Sequence, residues 1–152
     1  MAAQLAQHSF RYEKEFEILV QLAELLYEIE TESTALRPGY AMTTRTHESP
    51  ELRASRVRRV NQLLIDLDAL AKKYRPFFCE KVFEAIDELL DEVDQEAVHY
   101  QSGIRSDELA IEWFQEGSEA GRRITNLAHA ASNAIRTRTT TWDRISAIPP
   151  AA

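Results

Sequence analysis

Apolar residues recur at alternating intervals of three and four positions in four successive blocks of the chain, which is the rhythm of helices with one buried side. In the first block, two such rows lie next to each other. The first row is Tyr12, Phe16, Leu19, Ala23 and Leu26, and the second is Ile18, Leu22, Leu25, Ile29 and Leu36. Two adjacent rows predict a wide apolar face on a helix over about 9–37, one that touches two neighbouring helices.

The next three blocks predict three more helices, over about 50–75, 77–101 and 107–136. Their rows are Val57, Val60, Leu64, Leu67, Ala71 and Tyr74; Phe83, Ile86, Leu90, Val93, Ala97 and Tyr100; and Ala110, Phe114, Gly117, Gly121, Ile124, Ala128, Ala131 and Ile135. Leu63 and Leu70 widen the second row. The small residues in the middle of the fourth row predict that another part of the chain approaches closely there.

Capping residues and helix breakers set the predicted boundaries. Ser9 is the expected N-cap of the first helix, and Ser49 followed by Pro50 has the form of a cap and first position. Pro76 and Gly103 separate the second, third and fourth helices, and Ser106 is the expected cap of the fourth. Residues 38–49 lack any period and are predicted to form a loop. Residues 137–152, rich in threonine, are predicted to fray or to form a flexible C-terminal tail, with docking of Trp142 as the alternative.

Four long helices with short links bury their apolar rows by lying side by side, so the predicted fold is an all-α, antiparallel, up-down-up-down four-helix bundle. Residues 1–136 are expected to form a single domain, a size that can bury a substantial core. The width of the first apolar face also allows a hairpin to pair with a second copy of the chain. The sequence does not choose between a monomer and a homodimer.

Cysteine usage and hydropathy indicate the compartment. Cys79 is the only cysteine, so no intramolecular disulfide can form and a reducing environment is favoured. The start of the chain lacks the pattern of a signal peptide, and no apolar run approaches the roughly 20 residues that span a bilayer. We therefore expect a soluble cytoplasmic protein without a membrane span.

Charge is distributed unevenly along the chain. The net charge of −7 divides into −4 over 1–40, +4 over 41–75, −7 over 76–103 and zero over 104–152. The basic second helix thus lies between acidic neighbours. In a hairpin that turns at Pro76, Arg56 is expected near Glu96, and Arg59 near Glu92 or Val93.

The densest basic cluster is Arg53, Arg56, Arg58 and Arg59, with Arg45 upstream. The planar guanidinium group suits phosphate, so this cluster is a candidate nucleic-acid or phosphate site. The chain has a pI of about 5.2 and no aromatic residues between these arginines. Pairing with the acidic third helix and with Glu28, Glu30 and Glu32 is therefore the favoured interpretation, and nucleic acid is not the expected partner.

Glu96 and His99 have the Glu-x-x-His spacing of di-iron bundles. Those sites need two such motifs with further glutamates inside the bundle, whereas this chain has one, and His99 lies off the predicted apolar row. The acidic run Asp87, Glu88, Asp91, Glu92, Asp94 and Glu96 lacks the glycine turn of a calcium loop and is expected to be a solvated surface facing arginines. No metal ion and no cofactor are predicted.

Catalytic patterns are missing from the sequence. The four histidines are scattered, Cys79 lies next to Glu80 without a base at a recognisable spacing, and there is no glycine-rich phosphate loop. The sequence therefore leans against an enzyme and names no catalytic residue.

Several segments resemble a group of uncharacterised bacterial helical proteins. They are 8–19, which contains Arg-Tyr-Glu-Lys-Glu-Phe-Glu, then Leu36-Arg37-Pro38, Tyr74-Arg-Pro-Phe-Phe78 and 82–89. Other members of that group place a long coiled coil, sometimes with a membrane anchor, before an Arg-[Phe/Tyr]-Glu-Lys-Glu-Phe-Glu motif. Residues 2–7 are too few for either, and the resemblance implies no activity and no functional residues.

The expected function is a non-enzymatic helical interaction or scaffold module that binds another protein or itself. The surplus apolar width of the first helix supports this interpretation. The alternative is a nucleic-acid or phosphate-binding regulator that uses the arginine cluster of the second helix.

Overall fold

The computed structural model describes residues 2–37, 49–103 and 110–146. Several predicted features lie outside the described residues: positions 38–48 of the predicted loop over 38–49, with Arg45 among them, the predicted cap Ser106, the side chain of Trp142, and residues 147–152.

The protein is an all-α, antiparallel four-helix bundle, as predicted from the apolar periodicity. Its helices are α1 (Ala2–Thr34), α2 (Pro50–Tyr74), α3 (Glu80–Ser102) and α4 (Ala110–Ser146). Each helix packs against the next one in the chain, and α4 returns to α1, so the four form a closed ring in which α1 and α3 touch only weakly across the middle. No helix in the described ranges combines the length and the hydropathy needed to cross a bilayer.

Two predicted boundaries are confirmed in atomic detail. The Ser49 side chain accepts a hydrogen bond from the Leu52 N–H at 3.2 Å, and Pro50 is the first residue of α2, where its missing N–H leaves no broken hydrogen bond. At the end of α3, Gly103 adopts a φ of +66° and its N–H binds the carbonyl of Tyr100. Glycine is suited to this position because other residues are strained at positive φ.

The predicted start of α1 at Ser9 is wrong, because the helix begins at Ala2. Ser9 lies inside it, where its hydroxyl donates to Glu13 at 3.5 Å instead of capping the backbone. The stretch 2–7 consists of alanine, glutamine and leucine, which are strong helix formers, so nothing halts the helix at Ser9. At its other end α1 stops at Thr34, and Arg37 follows a turn at Ala35 and Leu36 instead of closing the helix.

The link between α2 and α3 is longer than predicted. A 3₁₀ turn covers Arg75–Phe77, Phe78 is extended, and α3 starts at Glu80 instead of residue 77. Phe78 is buried in the core. Phe78 therefore contributes to the core from the link and not from a helix.

The prediction of a flexible tail from residue 137 is wrong over 137–146, which continue α4. The threonines are accommodated because their hydroxyls bond to carbonyls one turn back, as Thr139 and Thr140 do to Arg136 at 2.9 and 3.0 Å. The longer α1 also provides a packing surface at this level, so tertiary contacts outweigh the weak helix propensity of threonine.

The core consists of side chains directed inward from all four helices. Its most completely buried apolar members are Ile18, Leu19, Leu22, Leu26, Ile29, Val60, Leu67, Val82, Ile86, Leu89, Val93, Tyr100, Ile124 and Ala131. On α1, however, Phe16 and Ala23 are exposed, so their predicted place in the buried face is wrong. At 100° per residue they lie roughly 100° around the helix from the middle of the buried arc, beyond the reach of α4.

Candidate functional site

A buried ion pair joins the end of α1 to α3. The guanidinium group of Arg37 donates from Nε to one carboxylate oxygen of Glu96 at 2.6 Å and from Nη2 to the other at 2.5 Å. Both side chains are 2% exposed. Two parallel hydrogen bonds between planar groups give this pair both strength and a fixed orientation.

The rest of the Arg37 side chain is held by α4. Its Nη1 donates to the carbonyl of Trp113 at 2.9 Å, and its guanidinium carbon lies 5.2 Å from the centre of the Trp113 ring. Gly117 makes room for this arrangement, because a Cβ there would lie 2.9 Å from Arg37 Nε and closer still to Arg37 Cβ. The predicted close approach to the small residues of α4 is therefore made by an arginine side chain.

The ion pairs predicted between α2 and α3 are wrong in their partners. Glu96 binds Arg37, and Glu92 accepts from Arg123 of α4 at 2.6 Å. Arg59 instead binds Glu28 of α1 at 2.9 Å, in keeping with the expectation that this cluster pairs with the acidic end of α1. Equal distance from the turn brings two residues to the same height, but it does not decide towards which neighbour each side chain points.

The Glu-x-x-His motif is divided between the interior and the surface. Glu96 is buried against Arg37, which corrects its predicted place on a solvated surface, whereas His99 is exposed. Among the described side chains, no group of three or more His, Cys, Asp or Glu residues could hold a metal ion.

A second buried acid–arginine pair joins the first half of α1 to the C-terminal part of α4. Glu15 is 1% exposed and accepts from Nε of Arg138 at 2.9 Å, while its Oε2 has no hydrogen-bond partner among the described residues. The hydrogen bond to Glu15 raises the pKa of Arg138, against the opposing effect of burial. This pair anchors the C-terminal part of α4 to α1. Arg138 lies in the stretch that was predicted to be a tail.

The four arginines of the predicted phosphate site do not form one open surface. Arg58 and Arg59 are exposed, and Arg59 is engaged with Glu28. Arg53 and Arg56 are half-buried and take part in further interactions. The guanidinium group of Arg53 lies against Gly103, because a Cβ on that glycine would be 3.9 Å from Nη2 and closer to Nη1. Nucleic-acid or phosphate binding by this cluster stays the alternative hypothesis, and internal pairing the favoured interpretation.

A groove of about 280 Å³ runs beside the first ion pair, between α3 and α4. Arg37, Glu92, Glu96 and Arg123 contribute to its wall, and these four are already bound to one another in two ion pairs. Two exposed carboxylates, Glu116 and Glu119, also line this groove, and Glu116 lies 3.8 Å from Nη1 of Arg37. The buried charges of the groove are therefore paired, and its rim is acidic.

The most distinctive surface feature is an apolar row on the outside of α1, here called the α1 stripe, made of Phe16, Val20, Ala23 and Tyr27. Phe16 is 53% exposed, Val20 41% and Tyr27 70%. The spacings of four, three and four place these residues in one line along the helix. Leu5, which is 68% exposed, lies on the same side of α1 nearer its start.

The other exposed large apolar residues of the described chain form no such row. Phe10 is 71% exposed on α1 but lies about 110° around the helix from the α1 stripe, Leu52 and Ile65 point to different sides of α2, and Val98 and Ile111 are single residues on α3 and α4. Isolated apolar residues are normal on protein surfaces, whereas an aligned row indicates a contact surface. The α1 stripe is therefore the candidate functional site.

Comparison with known proteins adds no relative to this picture. No family model, no curated protein and no solved structure matches the chain.

The sequence contains a pattern from which the burial of Glu15 and Glu96 could have been predicted. Glu96 falls on the strict four-three repeat Val82, Ile86, Leu89, Val93, Glu96, Tyr100, and Glu15 on the repeat Glu15, Leu19, Leu22, Leu26, Ile29, Ser33. A glutamate in a core position of such a repeat predicts a buried cationic partner. For Arg37 there was no such signal, because it lies outside any helix.

Proposed function

We propose that this protein is a non-enzymatic interaction module whose contact surface is the α1 stripe. The observation that supports the proposal is the alignment of Phe16, Val20, Ala23 and Tyr27 on the outer side of a helix whose inner side is already fully packed. Hydrophobic rows of this kind are the usual contribution of a helix to a helix–helix interface, where large apolar side chains insert between those of the partner.

The ion pairs of the bundle fit a rigid scaffold behind that surface. Arg37–Glu96 and Glu15–Arg138 fasten α1 to α3 and to α4 at two separate heights. Both carboxylates are almost fully buried and bound to arginine, which suits a role in fixing the position of α1. A contact surface on a fixed helix loses little conformational freedom on binding.

Site-specific photo-crosslinking in the cells that make the protein tests the proposal. A photoreactive phenylalanine analogue replaces Tyr27 in the α1 stripe, and the matched control carries it at Ile65, which is 61% exposed but isolated on α2. We expect a defined protein adduct from position 27 and none from position 65. Equal labelling at the two positions, or no adduct from position 27, would refute the proposal.

A further inference from the structure

We infer that the occupant of the α1 stripe is a second copy of this chain, related by a two-fold axis that runs parallel to the helices. The inference rests on the proposed function, since it takes the α1 stripe as a contact surface. The inference names the partner and the symmetry of the contact. It is based on the charged residues that lie on the two sides of the α1 stripe.

One side of the α1 stripe is acidic. Glu13, Glu17 and Glu24 each precede a stripe residue by three positions, which places them in a row about 60° to one side of it. All three are exposed. Glu28 continues this row and binds Arg59 of α2, so the acidic row is the edge nearer to α2 and further from α4.

The opposite side belongs to α4 and carries two arginines with a histidine between them. Arg122, His129 and Arg136 follow one another at intervals of seven, so they share one face of α4, and all are exposed. Arg122 and Thr34 line a groove of about 290 Å³ between α1 and α4. Thr34 lies seven residues beyond Tyr27 on the same side of α1, so the groove opens on the face that carries the α1 stripe.

The two charged rows have matching heights along the bundle. The bond between Glu15 and Arg138 fixes the antiparallel register, so α1 and α4 residues whose numbers sum to 153 are level. Glu17 is therefore level with Arg136, and Glu24 with His129. Within one chain the α1 stripe and the groove lie between these rows. Glu17 has an exposed ion pair with Lys14 at 3.4 Å within α1, whereas Glu24, His129 and Arg136 have no ion pair within the described part of the chain.

Symmetry then selects the partner. A two-fold axis parallel to the helices exchanges the acidic and basic edges of the face while leaving every residue at its own height. Glu17 and Glu24 of one copy thus meet Arg136 and His129 of the other, and each contact occurs twice. A two-fold axis perpendicular to the helices would place acidic row on acidic row, which charge repulsion disfavours.

The same arrangement gives the largest exposed side chain of the α1 stripe a place to pack. Tyr27 is level with Asn126, which lines the groove together with Gly121 and Thr125. A Cβ built on Gly121, about 7.5 Å further along the groove, meets nothing within 4 Å, so the groove is open next to this height. In the dimer, Tyr27 of each copy lies over this part of the groove of the other.

Light scattering of the purified full chain over a concentration series from micromolar to millimolar tests the inference. We expect a mass that rises towards twice the chain's 17.4 kDa. Glu17→Arg alone and Arg136→Glu alone should each weaken dimerisation by about tenfold or more, because each creates two like-charge contacts. The double variant should restore it, and Asp94→Arg, an exposed change on α3, should have no effect.

The other outcomes distinguish failure of the dimer from failure of the proposed function. A wild-type chain that stays at 17.4 kDa throughout, or a dimer that neither single variant weakens, overturns the second copy as occupant. If the chain is monomeric and the crosslink from position 27 maps to a different protein, the dimer is refuted and the proposed function stands. A monomer without any crosslink from position 27 refutes both.

Discussion

Gly117 and Gly121 offer a test of how tightly the Arg37–Glu96 pair is built into the bundle. Both glycines lie in the interior of α4, so replacement by alanine removes the same helix-propensity penalty, about 1 kcal/mol. Their surroundings differ. A Cβ on Gly117 would lie 2.9 Å from Arg37 Nε and 3.0 Å from Arg37 Cδ, and closest to Arg37 Cβ, which cannot move without the backbone.

Gly121→Ala should stabilise the protein by about 1 kcal/mol, because its Cβ enters open space. Gly117→Ala should push Arg37 out of its place and leave Glu96 as a buried charge without a partner. Loss of a buried pair costs about 3–5 kcal/mol, so after the propensity gain the net destabilisation is about 2–4 kcal/mol. Those free energies correspond to a rise in Tm of about 2–4 °C for Gly121→Ala and a fall of about 5–15 °C for Gly117→Ala.

Thermal unfolding followed by circular dichroism measures both variants, at a protein concentration low enough to keep self-association from contributing. Urea titration of the same samples gives the free energies of unfolding directly. If Gly117→Ala is as stable as Gly121→Ala, then Arg37 adapts without losing Glu96, and the tight packing between α1 and α4 inferred here is refuted.

Three further outcomes follow from the ion pairs. Glu96→Gln should destabilise the bundle by about 3–5 kcal/mol in urea titration, because it leaves Arg37 buried and charged; a loss below about 1 kcal/mol would contradict the assignment. Arg138→Met should speed amide hydrogen exchange in the last turns of α4 by removing the partner of Glu15. The double variant Arg138→Met with Glu15→Met should recover most of the lost protection. No recovery would argue against the pair as the anchor of α4. Arg59→Glu should leave fluorescence anisotropy of a labelled DNA duplex unchanged at low salt; a binding signal in the wild type that this change abolishes would instead support the nucleic-acid alternative.

The helices and the class of fold could be predicted from the sequence because both depend on local information. Apolar residues at intervals of three and four define which side of a helix avoids water, and Ser49 with Pro50, and Gly103, act through their own backbone geometry. These features were correct without knowledge of any partner. At Ser9 the helix-forming residues 2–7 outweighed the capping signal, and after Thr137 the contact with α1 decided the boundary.

Tertiary structure alone decided which residues the helices present to one another and to water. The periodicity placed Phe16 within the apolar face of α1, but only the position of α4 leaves it exposed in the α1 stripe. Likewise, the sequence shows Glu96 in a core position, yet its partner is Arg37, a residue beyond the end of α1, and not an arginine of the adjacent helix. The physical reason is that a helix repeat defines an angle around one axis, whereas a contact depends on how two axes are placed relative to each other.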